Sequence, residues 1–228
     1  MIGIIGAMDV EVDAVKNLLE ERKNETVSSV EFAKGTISGH MCVVAKCDPG
    51  KVNAAVCAQS MILKYKPDMI INIGVAGSLS NELDIGEIAI GESSVQYDMD
   101  TSALGDPKGF ISGIGLTYIK CGENIVKKLN TAAKEANLKH CTGKIATGDR
   151  FVGDDKKKKE IADEFSCIAC EMEGGAIGHV CALNNMPYGI LRAISDKADG
   201  SSKMDYPAFT KLAAKNSAKI ILEFLKQI

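Results

Sequence analysis

The sequence predicts an α/β fold, in which one domain holds a mixed β-sheet between two layers of helices. Short apolar runs alternate with segments of helical period along the 228 residues, which is the pattern of strands that pack against helices. Hydrophobic residues make up 46% of the chain, and no linker-like segment divides it. Because a chain of this length and composition can bury one large core, we expect a single-domain three-layer α/β/α sandwich over residues 1–228.

Strands and helices are predicted in alternation from the first residues onward. The apolar run at residues 2–7 predicts a buried strand, and the spacing of the apolar residues after it predicts a helix at residues 9–22. The pair Gly39-His40 indicates a hairpin, and the irregular segment 98–115 is typical of a lid, a binding loop or a partner contact. The other predicted strands span residues 30–38, 41–46, 69–75, 87–97, 144–147, 167–172 and 188–195, and the other predicted helices span residues 51–65, 120–136, 173–185 and 209–228.

Charge and the length of the apolar runs exclude several classes of function. The net charge is −3, and the four lysines at residues 156–159 are flanked by acidic residues, as on a solvated helix face. No charged region precedes the short apolar run at the start of the chain, and no apolar run approaches the ~18 residues of a membrane span. We therefore expect a cytoplasmic protein without a nucleic-acid or membrane partner.

The cysteine, histidine and glycine patterns favour neither a metal site nor a cofactor site. Cys167 and Cys170 form a CxxC pair inside a predicted strand, with no second pair and no nearby histidine pair. None of the three histidines has a partner at metal-ligand spacing. Gly3 and Gly6 do not match the G-x-G-x-x-G spacing of a dinucleotide site. We expect no metal and no cofactor.

Polar residues follow four of the predicted strands, at the ends where open α/β sheets bind ligands. They belong to the segments 6–11, 74–77, 171–173 and 192–196. A carboxylate in Glu171-Met172-Glu173 can accept both hydroxyls of a ribose. Glutamate is also favoured in the first turn of a solvated helix, so these residues alone leave both interpretations open.

Arg192 interrupts an apolar predicted strand, and a buried arginine needs an anionic partner. We expect Glu11 or Glu173 to supply that partner. Ser195 and Asp196 follow at the end of the same strand, where such residues are also common as helix or turn caps. From the residues alone, both a capping role and a chemical role stay open for Asp196.

Four motifs occur together and in a fixed order: Gly6-Ala7-Met8-x-x-Glu11, Asn72-x-Gly74-x-Ala76-Gly77, Glu171-Met172-Glu173-x-x-Ala176 and Arg192-Ala193-Ile194-Ser195-Asp196. The ordered set resembles the 5′-methylthioadenosine/S-adenosylhomocysteine nucleosidases of the nucleoside phosphorylase superfamily, over essentially the whole chain. The resemblance implies a nucleoside phosphorylase-like fold and a small-molecule nucleoside substrate. It implies hydrolysis of the bond between adenine N9 and ribose C1′ in methylthioadenosine and adenosylhomocysteine, and also in 5′-deoxyadenosine.

The resemblance also implies different roles for three carboxyl groups. Asp196, oriented by Ser195, is expected to be the acid that protonates adenine at N7, and it must carry its proton at the working pH. Glu11 is expected to activate water as a general base, steered by Arg192, and Glu173 is expected to accept the ribose hydroxyls. The other substrate-binding residues that the resemblance implies are Met8, Val75, Ala76, Gly77, Phe151, Val152, Glu171, Met172, Ala198 and Tyr206.

Three departures from the family pattern leave the preferred 5′ substituent open. Val75 stands where many members have serine, and Asp48-Pro49-Gly50 stands where Gly-Ile-Gly is common. Leu104 replaces an aromatic residue in the segment that family members lend to the partner's site. By the same resemblance we expect a homodimer, with segment 98–115 reaching the neighbouring subunit.

Three other functions remain open on this fold. A nucleoside phosphorylase would need arginines for phosphate, and the chain has only Arg22, Arg150 and Arg192. A hydrolase of a related nucleoside, such as futalosine, would use a base other than adenine. A non-catalytic adenosyl-ligand binding protein would bind the nucleoside without turnover.

Overall fold

The computed structural model describes residues 1–198 and 206–228, with the side chains of residues 206–208 left out of the description. The predicted substrate contact of Tyr206 therefore lies outside what is described. The strands are β1 (Ile2–Gly6), β2 (Glu20–Val27), β3 (Val30–Ile37), β4 (His40–Lys46), β5 (Met69–Ser78), β6 (Ile88–Gln96), β7 (Ile119–Lys120), β8 (His140–Thr147), β9 (Cys167–Glu171) and β10 (Tyr188–Asp196). The helices are α1 (Asp9–Lys16), α2 (Lys51–Tyr65), α3 (Glu123–Glu135), α4 (Asp155–Phe165), α5 (Gly174–Leu183) and α6 (Tyr206–Leu225).

The strands form one mixed sheet in the order β10-β6-β8-β9-β5-β1-β4-β3-β2, with β7 beside β6. Strand β5 also pairs with β10, so β5, β10, β6, β8 and β9 close into a ring. Strand β1 runs parallel to β4 and β5, and β5 runs parallel to β10. The pairs β4–β3, β10–β6 and β5–β9 are antiparallel. The predicted mixed sheet is confirmed, and the closure of one half is an addition to the prediction.

Helices cover both faces of the sheet, as the α/β/α prediction requires. Helices α2 and α5 pack together against one face, and α1, α3 and α6 pack against the other. Each face has its own buried cluster of isoleucine, valine and alanine side chains, while α4 closes a smaller cluster against β8 and β9. Among the described residues, no helix combines the length and apolar character needed to cross a membrane.

The helix predicted over residues 9–22 is wrong in its second half. Helix α1 ends at Lys16, and the polar run that follows forms β2, which pairs antiparallel with β3 at the outer edge of the sheet. Strand β2 is almost entirely exposed, so it lacks the apolar alternation by which a strand is recognised. Its charged residues are typical of an edge strand, where they oppose pairing with another chain.

Candidate active site

A cavity of about 210 Å³ opens where β5, β9 and β10 end and where the chain leaves β1. It brings together the four segments that the sequence singled out. Its lining consists of Ala7, Met8, Glu11, Pro49, Val75, Ala76, Gly77, Arg150, Phe151, Val152, Cys170, Glu171, Met172, Glu173, Ser195 and Asp196. Among the described residues, no group of three or more His, Cys, Asp or Glu side chains is arranged to hold a metal ion.

Glu11 is held by backbone donors from the turn after β1 and from β5. It lies in the first turn of α1, where its Oε2 atom accepts hydrogen bonds from the N–H groups of Ala7 (2.7 Å) and Met8 (2.9 Å). Its Oε1 atom accepts from the N–H of Val75 at 2.9 Å. A Cβ atom on Gly74 would lie 2.7 Å from Oε1, so only glycine leaves room for this carboxylate. The carboxylate is therefore buried in one fixed orientation against the cavity.

Arg192 lies behind the cavity wall and pairs first with Glu171. Its Nη2 atom contacts Glu171 Oε2 directly and lies 3.5 Å from Glu173 Oε2, while Nη1 donates to the carbonyl of Val75 at 3.3 Å. Of the two expected anionic partners, Glu173 forms an ion pair with Arg192, whereas Glu11 forms none and acts on Arg192 through its charge alone. Glu171 is a partner that the sequence did not predict. Although burial lowers the pKa of Arg192, the neighbouring carboxylates raise it overall, so the guanidinium stays charged.

The carboxylate oxygen atoms of Glu171 accept hydrogen bonds from other groups of the protein. Besides Arg192, it accepts hydrogen bonds from the Thr147 hydroxyl and from the N–H groups of Glu173 (3.0 Å) and Gly174 (2.7 Å). The last two are donors at the start of α5, which lack partners within the helix. Glu171 borders the cavity, and these contacts suit it to hold Arg192 and α5 in place.

Glu173 precedes α5 and faces the cavity with fewer partners. Its Oε1 atom accepts from the N–H of Gly50 at 3.0 Å. Burial raises the pKa of Glu173 to about 7; Arg192 opposes this shift, and the negative charge of Glu171 adds to it. The group therefore changes charge within the range in which most enzymes work.

The raised pKa of Glu173 predicts a pH-dependent stability. Between about pH 4.5 and pH 7 the folded protein keeps the Glu173 proton while the unfolded chain has lost it, so this group's contribution to the free energy of unfolding falls as pH rises. Glu173→Gln removes that dependence. We expect the variant to gain stability relative to the wild type as pH increases from 5 to 8, measured by urea unfolding at each pH. A difference between the two proteins that stays constant over this range would contradict the assignment.

Asp196 ends β10 and points into the cavity beside Gly77. Its Oδ2 atom accepts from the Ser195 hydroxyl at 2.9 Å, and its Oδ1 atom accepts from the N–H of Ala198 at 2.8 Å. The pairing of β10 with β5 shifts register between Ile194 and Asp196, which redirects the last residue of the strand. A Cβ atom on Gly77 would lie 2.9 Å from Asp196 Oδ1, so the glycine makes room for the carboxyl group.

The loop between β8 and α4 forms the rim of the cavity. Phe151 is 61% exposed, whereas Val152 is buried. Two predicted residues do not line the cavity: Arg192 lies behind the wall, and Ala198 is buried with its N–H bonded to Asp196. The side chain of Tyr206 lies outside the described residues.

Sequence reasoning missed four residues of the lining, namely Ala7, Pro49, Arg150 and Cys170. Ala7, Arg150 and Cys170 are each adjacent in sequence to a predicted site residue. This adjacency is the signal from which they could have been predicted. Cys170 lies opposite Gly77 in the β5–β9 pairing, so its thiol faces the same wall as Asp196. Burial, and then the charges of Asp196 and Glu171, raise the pKa of this thiol, which keeps it neutral.

The family model of the phosphorylase superfamily matches residues 1–226. The chain belongs to this superfamily. The 5′-methylthioadenosine/S-adenosylhomocysteine nucleosidase of Staphylococcus aureus is 34% identical to it over 229 residues, covering 100% of both proteins. The family resemblance predicted from the four motifs is therefore confirmed.

Solved structures of superfamily members share the fold over the whole chain. The 5′-methylthioadenosine/S-adenosylhomocysteine nucleosidase of Neisseria meningitidis, in complex with methylthio-immucillin-A, is 31% identical with a TM-score of 0.96, covering 100% of this chain and 99% of that one. The futalosine hydrolase of Helicobacter pylori strain 26695 is 32% identical with a TM-score of 0.95, covering 100% of this chain and 97% of that one. The predicted fold class is confirmed.

Proposed function

We propose that this superfamily member hydrolyses the N-glycosidic bond of 5′-methylthioadenosine and S-adenosylhomocysteine, and also of 5′-deoxyadenosine. The observation that carries the proposal is that Glu11, Glu173 and Asp196, three buried carboxyl groups with different partners, line one cavity. Acid and base chemistry on one substrate requires carboxyl groups in different surroundings, and these three have different hydrogen-bond partners. The name of the 34% identical relative supports the choice of substrate.

In the proposed reaction, cleavage begins at the purine. Adenine leaves poorly as an anion, so Asp196 delivers a proton to N7 as the bond from N9 to C1′ breaks. The Ser195 hydroxyl and the Ala198 N–H fix the two oxygen atoms of Asp196 and thereby aim the acid. The sugar that remains has oxocarbenium character and is open to attack by water.

Glu11 activates the attacking water in this mechanism. Its three backbone donors hold the carboxylate still. Arg192 donates to the carbonyl of Val75, and so helps to hold the residue whose N–H donates to Glu11. Val75 itself offers no hydroxyl to the water. General-base catalysis then delivers the oxygen to C1′ and leaves the proton on Glu11.

Glu173 accepts the ribose hydroxyls in this proposal, and Met8 and Met172 pack on the sugar. The ionised carboxylate accepts two hydrogen bonds from a diol, which its position on the cavity wall allows. Phe151, at the rim, stacks on the base, and the buried Val152 contacts the base edge through its backbone. Ala76 and Gly77 form the opposite wall of the cavity.

The experiment that tests the proposal measures free adenine by ultraviolet absorbance. We expect adenine to form from methylthioadenosine and adenosylhomocysteine at the same rate with and without phosphate. A rate that vanishes in phosphate-free buffer would instead assign a phosphorylase. Binding of the nucleosides without any turnover would assign a non-catalytic adenosyl-ligand binding protein.

Futalosine hydrolase is a second candidate function, favoured by the Helicobacter pylori structure with its TM-score of 0.95. The two activities differ in the base and in the 5′ substituent, and Pro49 and Leu104 are departures in the region expected to contact that substituent. Parallel assays on futalosine and methylthioadenosine distinguish the candidates. A kcat/KM for futalosine well above that for the adenine nucleosides would replace the first proposal.

We further propose a homodimer in which α2 faces the partner. Val52, Val56 and Leu63 form an exposed apolar row along α2, and Val52 and Leu63 are 74% and 68% exposed. Leu183 at the end of the neighbouring α5 is also exposed, and so is Leu104 in segment 98–115. Exposed apolar residues grouped on one face mark protein–protein contacts more often than scattered ones do. In this dimer, segment 98–115 contributes to the neighbouring cavity.

A charge placed in the α2 row should separate the subunits. We expect Val56→Glu to convert a dimer into a monomer in sedimentation-velocity experiments, because a carboxylate buried at an apolar interface has no partner. Leu212→Glu on α6, which packs on the opposite face of the sheet, is the matched control and should leave the dimer intact. A wild type that sediments as a monomer at micromolar concentration would exclude this interface.

The expected location and pathway complete the proposal. All eight cysteines lie in the described residues as free thiols, as expected in a reducing compartment such as the cytoplasm. Release of adenine from methylthioadenosine would place the enzyme in methionine salvage and purine nucleoside catabolism.

A further inference from the structure

A closed set of hydrogen bonds beside the cavity has no role in the proposed chemistry. It is formed by Lys51, Asp98 and Asp149, and we refer to these three residues as the clamp. The Lys51 N–H donates to Asp149 Oδ1 at 2.7 Å, the Asp149 N–H donates to Asp98 Oδ2 at 2.9 Å, and Lys51 Nζ donates to Asp98 Oδ1 at 2.6 Å. Each residue is bonded to both others, so the three contacts form a ring that joins distant parts of the sequence.

The clamp joins the segments that line two sides of the cavity. Asp149 directly precedes Arg150, Phe151 and Val152, which form the rim. On the other side, the residue before Lys51 is Gly50, whose N–H donates to Glu173 at 3.0 Å. A shift of the clamp would therefore move the rim loop relative to the carboxylate that faces the sugar.

Local geometry makes Asp149 the acceptor for the start of α2. The N-terminal N–H groups of a helix lack partners within the helix, and the residue before α2 is a glycine, which has no capping side chain. The Asp149 carboxylate satisfies the Lys51 N–H and adds a favourable charge at the positive end of the 15-residue helix. Gly50 has a φ of +103°, a conformation that favours glycine, and a Cβ atom there would make a tight contact of 3.2 Å with Asp149 Oδ1.

The rim loop is also anchored by Val152, which is buried in the cluster that α4 closes. Residues 148–153 belong to no helix or strand. The Gly148 N–H donates to the Glu171 carbonyl at 3.1 Å, and Arg150 pairs with Asp154 at 3.2 Å in an exposed contact. Exposed ion pairs of this kind contribute little to stability. The clamp adds a polar attachment between the loop and the start of α2.

We propose that the clamp positions the base-binding loop, with Asp149 as its central positioning residue. This inference rests on the proposed function, because it takes the purine to lie against Phe151 and Val152. The clamp sets where these two residues meet the base, while the reaction at C1′ is left to Glu11 and Asp196. Loss of the clamp should therefore weaken binding of the base far more than it slows the chemical step.

The test compares Asp149→Ala with Asp149→Asn. We expect Asp149→Ala to raise both the KM for methylthioadenosine and the calorimetric Kd for adenine by about tenfold, the effect of one or two lost hydrogen bonds. The kcat value should change by less than about threefold on the same reasoning. Asp149→Asn keeps an oxygen that accepts from the Lys51 N–H, so it should restore most of the affinity. If Asp149 contributed only to stability, its replacement would not raise KM while leaving kcat nearly unchanged.

Two lysines on α2 provide a matched control. Lys51→Met removes the side-chain contact with Asp98, whereas Lys64→Met removes a similar ion pair with Glu25 (2.7 Å) at the other end of the helix, away from the cavity lining. We expect Lys51→Met to weaken adenine binding and Lys64→Met to leave it unchanged. If Asp149→Ala does not fold, the comparison of these two lysine variants still tests whether the clamp affects adenine binding.

Equal adenine affinities for Lys51→Met and Lys64→Met would overturn the proposal. So would an Asp149→Ala enzyme in which kcat falls as much as kcat/KM. Failure of the proposed function is a separate result, because the wild type itself would then release no adenine from methylthioadenosine in phosphate-free buffer.

Discussion

Replacement of Asp196 by asparagine should abolish most of the activity and leave the fold intact. The asparagine side chain can still accept from the Ala198 N–H and contact the Ser195 hydroxyl, so the local geometry survives. It carries no acidic proton for the departing purine. General acid catalysis contributes roughly 10²–10⁴-fold, and we expect kcat to fall by about this factor. Steady-state release of adenine from methylthioadenosine measures the loss.

Two controls accompany this prediction: a measurement of substrate binding, and a variant at a surface carboxylate. The Kd for methylthioadenosine should change little in Asp196→Asn, because the variant loses a proton donor and keeps the shape of the cavity. Asp84→Asn, at an exposed carboxylate paired with Lys197, should behave as the wild type. Near wild-type turnover in Asp196→Asn would remove the acid from the mechanism. The same loss in both variants would indicate a general effect on folding.

Much of the site could be predicted because its residues follow strands that are easily recognised. Strands β5 and β10 are buried along most or all of their length, and such continuous apolar runs are distinct in a sequence. Asp196 and Val75 to Gly77 lie at the ends of these runs. Where strands run parallel their ends meet at one edge, so the positions were predictable from pattern alone.

Features set by distant parts of the chain could not be predicted in this way. The pairing of β5 with both β9 and β10 closes a ring, but neither strand carries a pattern that identifies its second neighbour. Strand β2 is recognisable only through its pairing with β3, because its own residues are polar. The clamp likewise joins residues 47 and 98 positions apart in the sequence.

The partner of Arg192 shows how a correct physical rule can still leave a choice among residues. Burial of the arginine required an anion, and the chain offers Glu11, Glu171 and Glu173 near it. Glu171 ends β9, where its carboxylate also satisfies two N–H groups at the start of α5. A carboxylate that satisfies both the arginine and the helix start is the most favourable partner, but this advantage is visible only in three dimensions.

Replacement of Arg192 by methionine should be the most destabilising single change at the site. The methionine fills much of the same space, but it leaves the buried carboxylates of Glu171 and Glu173 without their cation, and Asn72 without its hydrogen-bond donor. Breaking a buried ion pair by removing one partner costs about 3–5 kcal/mol, and we expect a loss of that size in the free energy of unfolding at pH 8. Urea denaturation followed by circular dichroism measures it.

The cause of this loss is tested by removing a carboxylate in the same protein. If the uncompensated charge of Glu171 is responsible, Glu171→Gln should be destabilising in the wild type but should recover stability in Arg192→Met, which gives a large coupling energy between the two sites. The loss in Arg192→Met should also shrink toward pH 5, because protonation of Glu173, whose pKa is raised to about 7, removes one of the charges left without a partner. Additive effects of the two substitutions, with a loss independent of pH, would mean that packing rather than charge holds this wall of the cavity together.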